Sequence, residues 1–259
     1  MVKTVIYFLL PAYNEESDLP KVLESISKLK FEVEDWRVVV IDDGSSDGTP
    51  ALLKKWSDKV PLTVLTHSPN QGLGRAMRTG LSHLSEIVTD TDAVVALDAD
   101  STQPPELTVR MRRKQQRDNL DVVIASRYCD EGSDDKGKEV GLAFHRKVLS
   151  RGASFLLDLA FHVKGAKDYT CGFRLYSGSI LKRAKRIYGD RFVEEKNFVC
   201  MAEILVKLYH IGAKVGEVPL TLRYDLKGGA SKLRIMRTVL RYFILIWRYQ
   251  FMDELKKFG

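Results

Sequence analysis

Five short apolar runs punctuate the first half of the chain, at residues 4–10, 37–41, 62–66, 93–97 and 121–125. They are rich in Val, Ile, Leu and Ala with little polar alternation, which is the pattern of strands buried on both faces of a parallel sheet. Between them, stretches with helical spacing occupy residues 16–29, 49–57, 72–87 and 105–117. Pro105 suits the first helical position of the last of these, and Asp47 and Ser101 offer capping oxygens nearby. Strand and helix in strict alternation predict a doubly wound α/β domain. No internal repeat or low-complexity linker divides it.

Beyond Arg127 the pattern changes. Residues 129–141 are polar and hold three glycines, as expected of a loop. A helix over 142–161, a strand over 169–176, a helix over 198–211 and a strand over 215–222 follow, and a final helix runs over 232–251. The pattern divides the chain into a catalytic-type domain, 1–231, and a C-terminal amphipathic helix, 232–259. On a helical wheel Arg234, Arg237, Arg241 and Arg248 fall within about 60°, beside a broad apolar face. The stripe has two readings, an interfacial helix lying on a membrane or a docking helix whose arginines meet solvent.

Composition narrows the class. With 259 residues and 44% hydrophobic content, the chain can bury a full core. The net charge of +7 is local: residues 223–259 carry nine Lys/Arg against three Asp/Glu, leaving about +1 for the rest. A positive tail on a nearly neutral body points to one anionic surface, nucleic acid or lipid headgroups. Three widely spaced cysteines argue against a disulfide framework and for a cytoplasmic setting, and the five histidines form no zinc pattern. The N-terminal apolar run reads as a first strand rather than a signal peptide, and no run is long enough to span a bilayer.

The chemistry concentrates where strands end. The run Val94-Val95-Ala96-Leu97 ends in Asp98-Ala99-Asp100, so a buried strand delivers two carboxylates to the carboxyl end of a parallel sheet, where ligands bind. Two such carboxylates favour Mg2+ or Mn2+ shared with a substrate's phosphates. A lone Asp-x-Asp also begins turns and caps helices. The first strand ends in Pro11-Ala12-Tyr13-Asn14-Glu15-Glu16 and the second in Asp42-Asp43-Gly44-Ser45-Ser46-Asp47-Gly48-Thr49, at the same edge. There Tyr13 can cover a nucleobase, Glu15 can accept from ribose hydroxyls and Asp43 from a base N–H; singly, each residue also reads as a turn former or cap. Gly72-Leu73-Gly74 lacks the Lys-Ser/Thr of a phosphate loop and reads better as close packing of a helix on the sheet.

The motifs P-A-Y-N-E from Pro11, D-D-G-S-S-D-G-T from Asp42, N-Q-G-L-G from Asn70, D-A-D from Asp98 and G-F-R from Gly172 together resemble family 2 glycosyltransferases. S-R-Y from Ser126, H-R-K-V-L-S-R-G-A from His145, and G-E-V-P-L-T from Gly216 with S-K-L from Ser231 are similar to dolichol-phosphate mannose synthases and related polyprenyl-phosphate hexosyltransferases. The resemblance implies a GT-A fold, a Rossmann-like and mostly parallel central sheet flanked by helices. It implies an inverting enzyme that takes a hexose from a nucleotide sugar, mannose from GDP-mannose first and glucose from UDP-glucose second, to a polyprenyl phosphate. By the same analogy Pro11, Tyr13, Asn14, Glu15, Ile41, Asp43 and Ala99 bind the donor, and Asp98 and Asp100 the metal and diphosphate. Asp100, Arg127 and Arg146 would serve the reacting phosphates.

Two departures stand out. The family's D-A-D-L-Q becomes D-A-D-S-T-Q, with Thr102 in the glutamine position and Gln103, the candidate third ligand, one residue later. The segment after Arg223 is not the family's V-D-R-x-Y-G, so no phosphate-binding arginine carries over to it. Arg127 and Arg146 flank the glycine-containing loop, where closure would bring guanidinium groups over phosphates; surface solvation is their other reading. A phosphomonoester loses its second proton at a pH of about 6, so a phosphate acceptor needs no strong general base. The lone carboxylates Asp190 and Glu203 read as structural. The expected partners are the nucleotide sugar, the polyprenyl phosphate, the cytoplasmic face of a membrane and a possible membrane protein, with no nucleic acid. A hydroxyl acceptor, a nucleotidyltransferase and a basic nucleic-acid module are the competing readings.

Overall fold

The computed structural model describes residues 4–31, 34–130, 136–142, 144–226 and 235–251, with the side chains of 144–146, 235–237 and 251 outside that description. Its centre is a seven-stranded sheet in the order β3-β2-β1-β4-β7-β5-β8. The strands are β1 (Val5–Ala12), β2 (Asp35–Asp42), β3 (Leu62–Thr66), β4 (Ala93–Ala96), β5 (Val122–Ser126), β7 (Arg174–Ser177) and β8 (Val215–Pro219). All neighbours are parallel except β7, which runs antiparallel to both β4 and β5. The apolar runs form the core: every residue from Ile6 to Leu10, Val38 to Ile41 and Ala93 to Leu97 is buried. Helices α1 (Leu19–Ser27), α2 (Thr49–Trp56), α3 (Leu73–Ile87) and α4 (Leu107–Asp118) connect the first five strands, as their spacing predicts.

The later elements differ from the pattern in three places. The strand expected over 169–176 is shorter, because residues 169–173 cross the sheet edge irregularly before β7 begins at Arg174. The strand expected over 215–222 breaks at Leu220. There β9 (Thr221–Arg223) leaves the main sheet and pairs with β6 (Lys138–Val140), a short strand inside the expected loop. The switch is fixed on both sides of Leu220, whose N–H donates to Ser126 O at 2.8 Å and whose carbonyl accepts from Lys138 N at 2.8 Å.

The third difference is a helix not anticipated, α6 (Gly178–Tyr188). Its buried positions Gly178, Ile180, Leu181, Ala184 and Tyr188 carry a helical period, and the Ser177 hydroxyl caps it by accepting from Ile180 N. α5 (Phe144–Phe161) and α7 (Cys200–His210) follow their predicted spans closely. The last helix, α8, covers Ile235–Ile246 and continues into a π-helical turn, Trp247–Phe251. No helix among the described residues is long and apolar enough to cross a membrane.

Candidate active site

Because β1, β2, β4, β5 and β8 are parallel, their carboxyl ends share one edge, and the reversed β7 brings its amino end, Gly172-Phe173, to the same edge. Pro11 stands in register with Ile41 and Ala12 with Asp42, so the first two candidate motifs emerge side by side. Hydrogen bonds then latch their loops together. Asn14 N donates to Ser45 Oγ (2.9 Å), Ser46 N to Asn14 Oδ1 (2.8 Å) and Glu15 N to Thr49 Oγ1 (2.9 Å). Asn14 and Ser101 hold φ of 53° and 60°, so the turns beside Glu15 and Asp100 both contain a non-glycine residue in the left-handed region. Tyr13 and Glu15 are half-buried at the edge. Ile41 is fully buried within the sheet, in register with Pro11 on one side and Leu65 on the other.

Asp43 is more heavily engaged than its motif suggests. Its carboxylate accepts from Gln71 N (2.9 Å), Gly72 N (2.7 Å) and Asn70 Nδ2 (2.8 Å), and lies 2.6 Å from His67 Nδ1. Four partners match the roughly four lone-pair sites of a carboxylate. Asp43 therefore organises the 70–72 turn, and a base N–H would have to share or displace one of these donors. The glycines beyond this turn serve packing, as expected, but against a loop rather than the sheet. A Cβ on Gly74 would lie 1.8 Å from Glu195 O, and Gly74 N donates to Lys196 O at 2.9 Å.

At the end of β4, Asp98 and Asp100 come together with their supports. Thr102 N and Oγ1 bond Asp100 Oδ1 at 3.2 and 2.6 Å. Gln103 Nε2 donates to Asp98 Oδ2 at 2.8 Å, while its Oε1 accepts from Asp98 N at 2.9 Å. That oxygen is turned to the main chain, so in this structure Gln103 orients Asp98 from behind instead of supplying a third ligand. Ala99 is buried between the two carboxylates in sequence. Gly172 lies beside this carboxylate, where a Cβ would sit in ordinary contact 3.5 Å from Asp98 Oδ1. Among the described residues no group of three or more His, Cys, Asp or Glu is placed to hold a metal. Two carboxylate donors fit Mg2+ or Mn2+, which keep waters and take phosphate oxygens as further ligands.

Tyr224 was not singled out by the sequence. Burial pushes its phenol up to about 12, with the nearby Arg127 charge opposing and the charges of Asp98 and Asp100 adding to the rise. The main chain places this segment across the 98–103 turn, where Arg223 N donates to Thr102 O at 2.9 Å. The Arg223 guanidinium itself is turned outward onto Asp225, at 2.8 and 2.7 Å.

Arg127, expected over the acceptor phosphate, is held in this structure by a buried carboxylate. Its side chain is buried and forks onto Asp168, with Nε to Oδ2 and Nη2 to Oδ1 both at 2.7 Å. Thr170 Oγ1 (2.6 Å) and Glu139 Oε1 (3.2 Å) take further donors. Burial alone would raise Asp168's pKa, but the Arg127 charge and hydrogen bonds outweigh it and hold the carboxyl below its usual value. Glu217, from the G-E-V-P motif, fixes the same turn by accepting from Lys167 N (2.6 Å) and Asp168 N (2.8 Å). Arg127 is thus a strut between β5, the 167–171 turn and β6. Arg146 falls on α5, its side chain outside the described residues.

The C-terminal arginines also turn inward. Arg241 Nη2 meets Glu195 Oε2 and Arg248 Nη2 meets Glu194 Oε2, each at 2.9 Å, and Tyr249 OH donates to Glu203 Oε1 at 2.7 Å. Arg234 and the Arg237 side chain lie outside the described residues. Glu203 is structural as expected, in a fully buried pair with Lys207 at 2.9 Å. Asp190 is exposed and pairs with Arg78 and Lys185 at 3.6 and 3.7 Å. All three cysteines are free thiols; burial pushes Cys171 up to about 12, unsuited to nucleophilic work.

A mostly parallel sheet with one reversed strand, presenting paired carboxylates at its carboxyl edge, is the architecture of the GT-A glycosyltransferases. The likeness to solved structures supports that class: the mannosyltransferase PcManGT of Pyrobaculum calidifontis, solved with GDP-Man and Mn2+, superposes with a TM-score of 0.60 at 17% identity over 94% of this chain and 64% of that one. The chain belongs to glycosyl transferase family 2, whose model matches residues 7–184. Among its relatives, the dolichyl-phosphate beta-glucosyltransferase ALG5A of Trichomonas vaginalis is 33% identical over 82% of this chain and 63% of that protein. The dolichol-phosphate mannosyltransferase of Pyrococcus furiosus is 28% identical over 93% and 62%. The chain spans a little under two thirds of the length of these two relatives.

Proposed function

We propose that the protein transfers a hexose from a nucleotide sugar to a polyprenyl phosphate at a membrane surface, inverting the anomeric centre. The observation that carries this reading is an apolar face on two packed helices. α5 exposes Val148, Leu149, Phe155 (67%), Leu156 and Leu159 (75%), and α8 exposes Leu240 (60%), Phe243, Ile244 and Trp247 (57%). On each helix these residues fall within an arc of about 100–120°. Large apolar side chains left in water over two neighbouring helices mark an interaction surface, and a lipid-linked acceptor supplies a reason for it to be a bilayer. The face that would meet the membrane is apolar, while Arg241 and Arg248 fasten α8 to the body. The names of the relatives support a dolichyl-type phosphate acceptor, and the higher identity to a glucosyltransferase puts UDP-glucose ahead of GDP-mannose, reversing the order drawn from motifs.

Asp98 and Asp100 would hold Mg2+ or Mn2+, which supplies charge neutralisation for the departing diphosphate. The chain's own residues do the rest. Gln103 and Thr102 fix the two carboxylates, Asp43 fixes the 70–72 turn beside the base site, and the Arg127–Asp168 strut sets the wall that faces the acceptor. The acceptor phosphate is already anionic at neutral pH, so alignment with the anomeric carbon replaces proton abstraction. The test crosses UDP-glucose and GDP-mannose with a short isoprenyl phosphate, with and without Mn2+, and determines the product's anomeric configuration. The expected result is metal-dependent formation of a β-linked isoprenyl phosphohexose. Transfer confined to hydroxyl acceptors, or release of pyrophosphate, would refute the reading.

A further inference from the structure

The loop 192–199, which leads into α7, touches both the last helix and the turn that Asp43 organises. On one side its main chain meets that turn: Lys196 O accepts from Gly74 N at 2.9 Å, and a Cβ on Gly72 would lie 2.8 Å from the same oxygen. On the other side buried Glu195 takes the Arg241 guanidinium of α8 on Oε2, with Nη2 at 2.9 Å and Nε at 3.1 Å. Between these contacts the loop is pinned by Glu203, whose Oε2 accepts from Glu194 N at 2.9 Å and from Glu195 N at 2.8 Å. A continuous path thus runs from Arg241 through Glu195 and the carbonyls of 195 and 196 to Gly72, whose N–H donates to Asp43 Oδ2 at 2.7 Å.

Glu195 is a carboxylate in surroundings that oppose its charge. Burial pushes its carboxyl up from the usual range; Arg241 opposes the rise and the Glu203 charge adds to it. Without that guanidinium the carboxylate gains by turning to solvent or taking a proton. The residue has no slack for such a turn, because its carbonyl packs so closely on Gly74 that a Cβ there would meet it at 1.8 Å. We infer that Arg241 is a positioning residue for the nucleotide donor, holding Glu195 so that the 72–74 turn keeps Asp43 aimed at the base. The assignment rests on the donor-site reading given above and deepens it, since a helix with an exposed apolar face then also sets the shape of the donor side. Arg248 supplies an internal contrast. It fastens the same helix to Glu194 at 2.9 Å, but Glu194 keeps a second cation, Lys207 at 3.1 Å, and the carbonyls that meet the turn belong to the two residues after it.

The experiment compares Arg241→Gln, Arg241→Lys, Glu195→Gln and Arg248→Gln with wild type, in the full chain, for the Kd of UDP and of GDP with Mn2+ by calorimetry and for melting temperature. Arg241→Gln is expected to raise the Kd of the nucleotide that wild type binds roughly five- to thirtyfold, the range of coupling carried by a packed polar network. Arg241→Lys, which keeps the charge but not the fork, falls between. Glu195→Gln shows the same rise, and joining it to Arg241→Gln adds nothing further, because the two act as one unit. Should Arg241→Gln fail to fold, Glu195→Gln carries the same test. Arg248→Gln lowers the melting temperature but leaves the Kd within about twofold. An unchanged Kd in Arg241→Gln and Glu195→Gln overturns the assignment, as does full additivity in the double variant. An equal rise in Arg248→Gln would make docking of the whole helix responsible and equally overturn it. Failure of the wild type to bind either nucleotide would overturn the donor reading, and this assignment with it.

Discussion

The two halves of the catalytic edge use charge in opposite ways. On the proposed donor side, formed by the ends of β1, β2 and β4, the carboxylates are held largely by amide and hydroxyl donors: Asp43 by main-chain and amide N–H groups together with the His67 ring, Asp98 by Gln103, Asp100 by Thr102. Amide and hydroxyl donors of this kind orient a carboxylate without cancelling its charge. On the proposed acceptor side, formed by β5, β6 and the 167–171 turn, opposite charges are paired directly, with Arg127 between Asp168 and Glu139. An acidic motif supported by amides is equipped to bind; an arginine already forked onto a buried carboxylate is equipped to brace.

Substitutions can break or sharpen that contrast. The largest effect should follow Asp100→Asn, which keeps an acceptor for Thr102 but removes charge where the diphosphate departs. Transfer should fall by about a hundredfold or more with the melting temperature nearly unchanged. Wild-type turnover of this variant at limiting Mn2+ would erase the donor side of the comparison. Arg127→Ala should instead strike folding. It leaves Asp168 buried and unpaired, so denaturant titration should show a loss of about 3–5 kcal/mol. A variant of normal stability that lost only acceptor affinity would make Arg127 a ligand after all.

Smaller effects are expected further out. Gly74→Ala forces a methyl against Glu195 O and should cost about 1–3 kcal/mol, with a higher donor KM and an unchanged acceptor KM. The smallest is a pH effect. Because Arg127 holds the Asp168 carboxyl below its usual value, its contribution is fully present above the unfolded value of about 3.9 and is lost as pH falls through the lower folded value. The stability gap between wild type and Asp168→Asn should therefore be constant from neutrality to about pH 4. Below that it should shrink by up to about 1.4 kcal/mol per pH unit. A gap that persists unchanged to pH 2 would show that the pair contributes little beyond packing.

The same contrast explains what could be read from the chain. Asp98, Asp100 and the paired turns were legible because strand ends bring them together and their supports lie within a few residues or in the adjoining motif. The pairing of Arg127 was not legible because its partner stands 41 residues away and nothing local marks Asp168 as buried. The stripe on α8 was seen, but its direction depended on Glu194 and Glu195, two acids in an unremarkable loop. Gln103 was read as a candidate third ligand, and the sequence carried no sign that its oxygen accepts from the main-chain N–H of Asp98. The α6 period was present in the sequence, interrupted by four basic residues that made it look like surface. The reversal of β7 left no local signature, since a short buried strand reads alike in either direction.

That reversal has a consequence for the order of assembly. β4 and β5 are not neighbours: each pairs with β7, which wedges between them at Ala93–Ala96 and Val122–Ile124. A chain emerging from the ribosome has synthesised both strands long before residue 177, and until then each has an inner edge with its hydrogen-bonding groups unpaired. Such edges are templates for wrong partners. The sheet therefore cannot grow outward in the order of synthesis; β5 waits outside the sheet of the first four strands until a four-residue strand joins it to β4, and β8 is added after that. Closure of the fold is a late and long-range event, concentrated in the stretch that also delivers Gly172 beside Asp98.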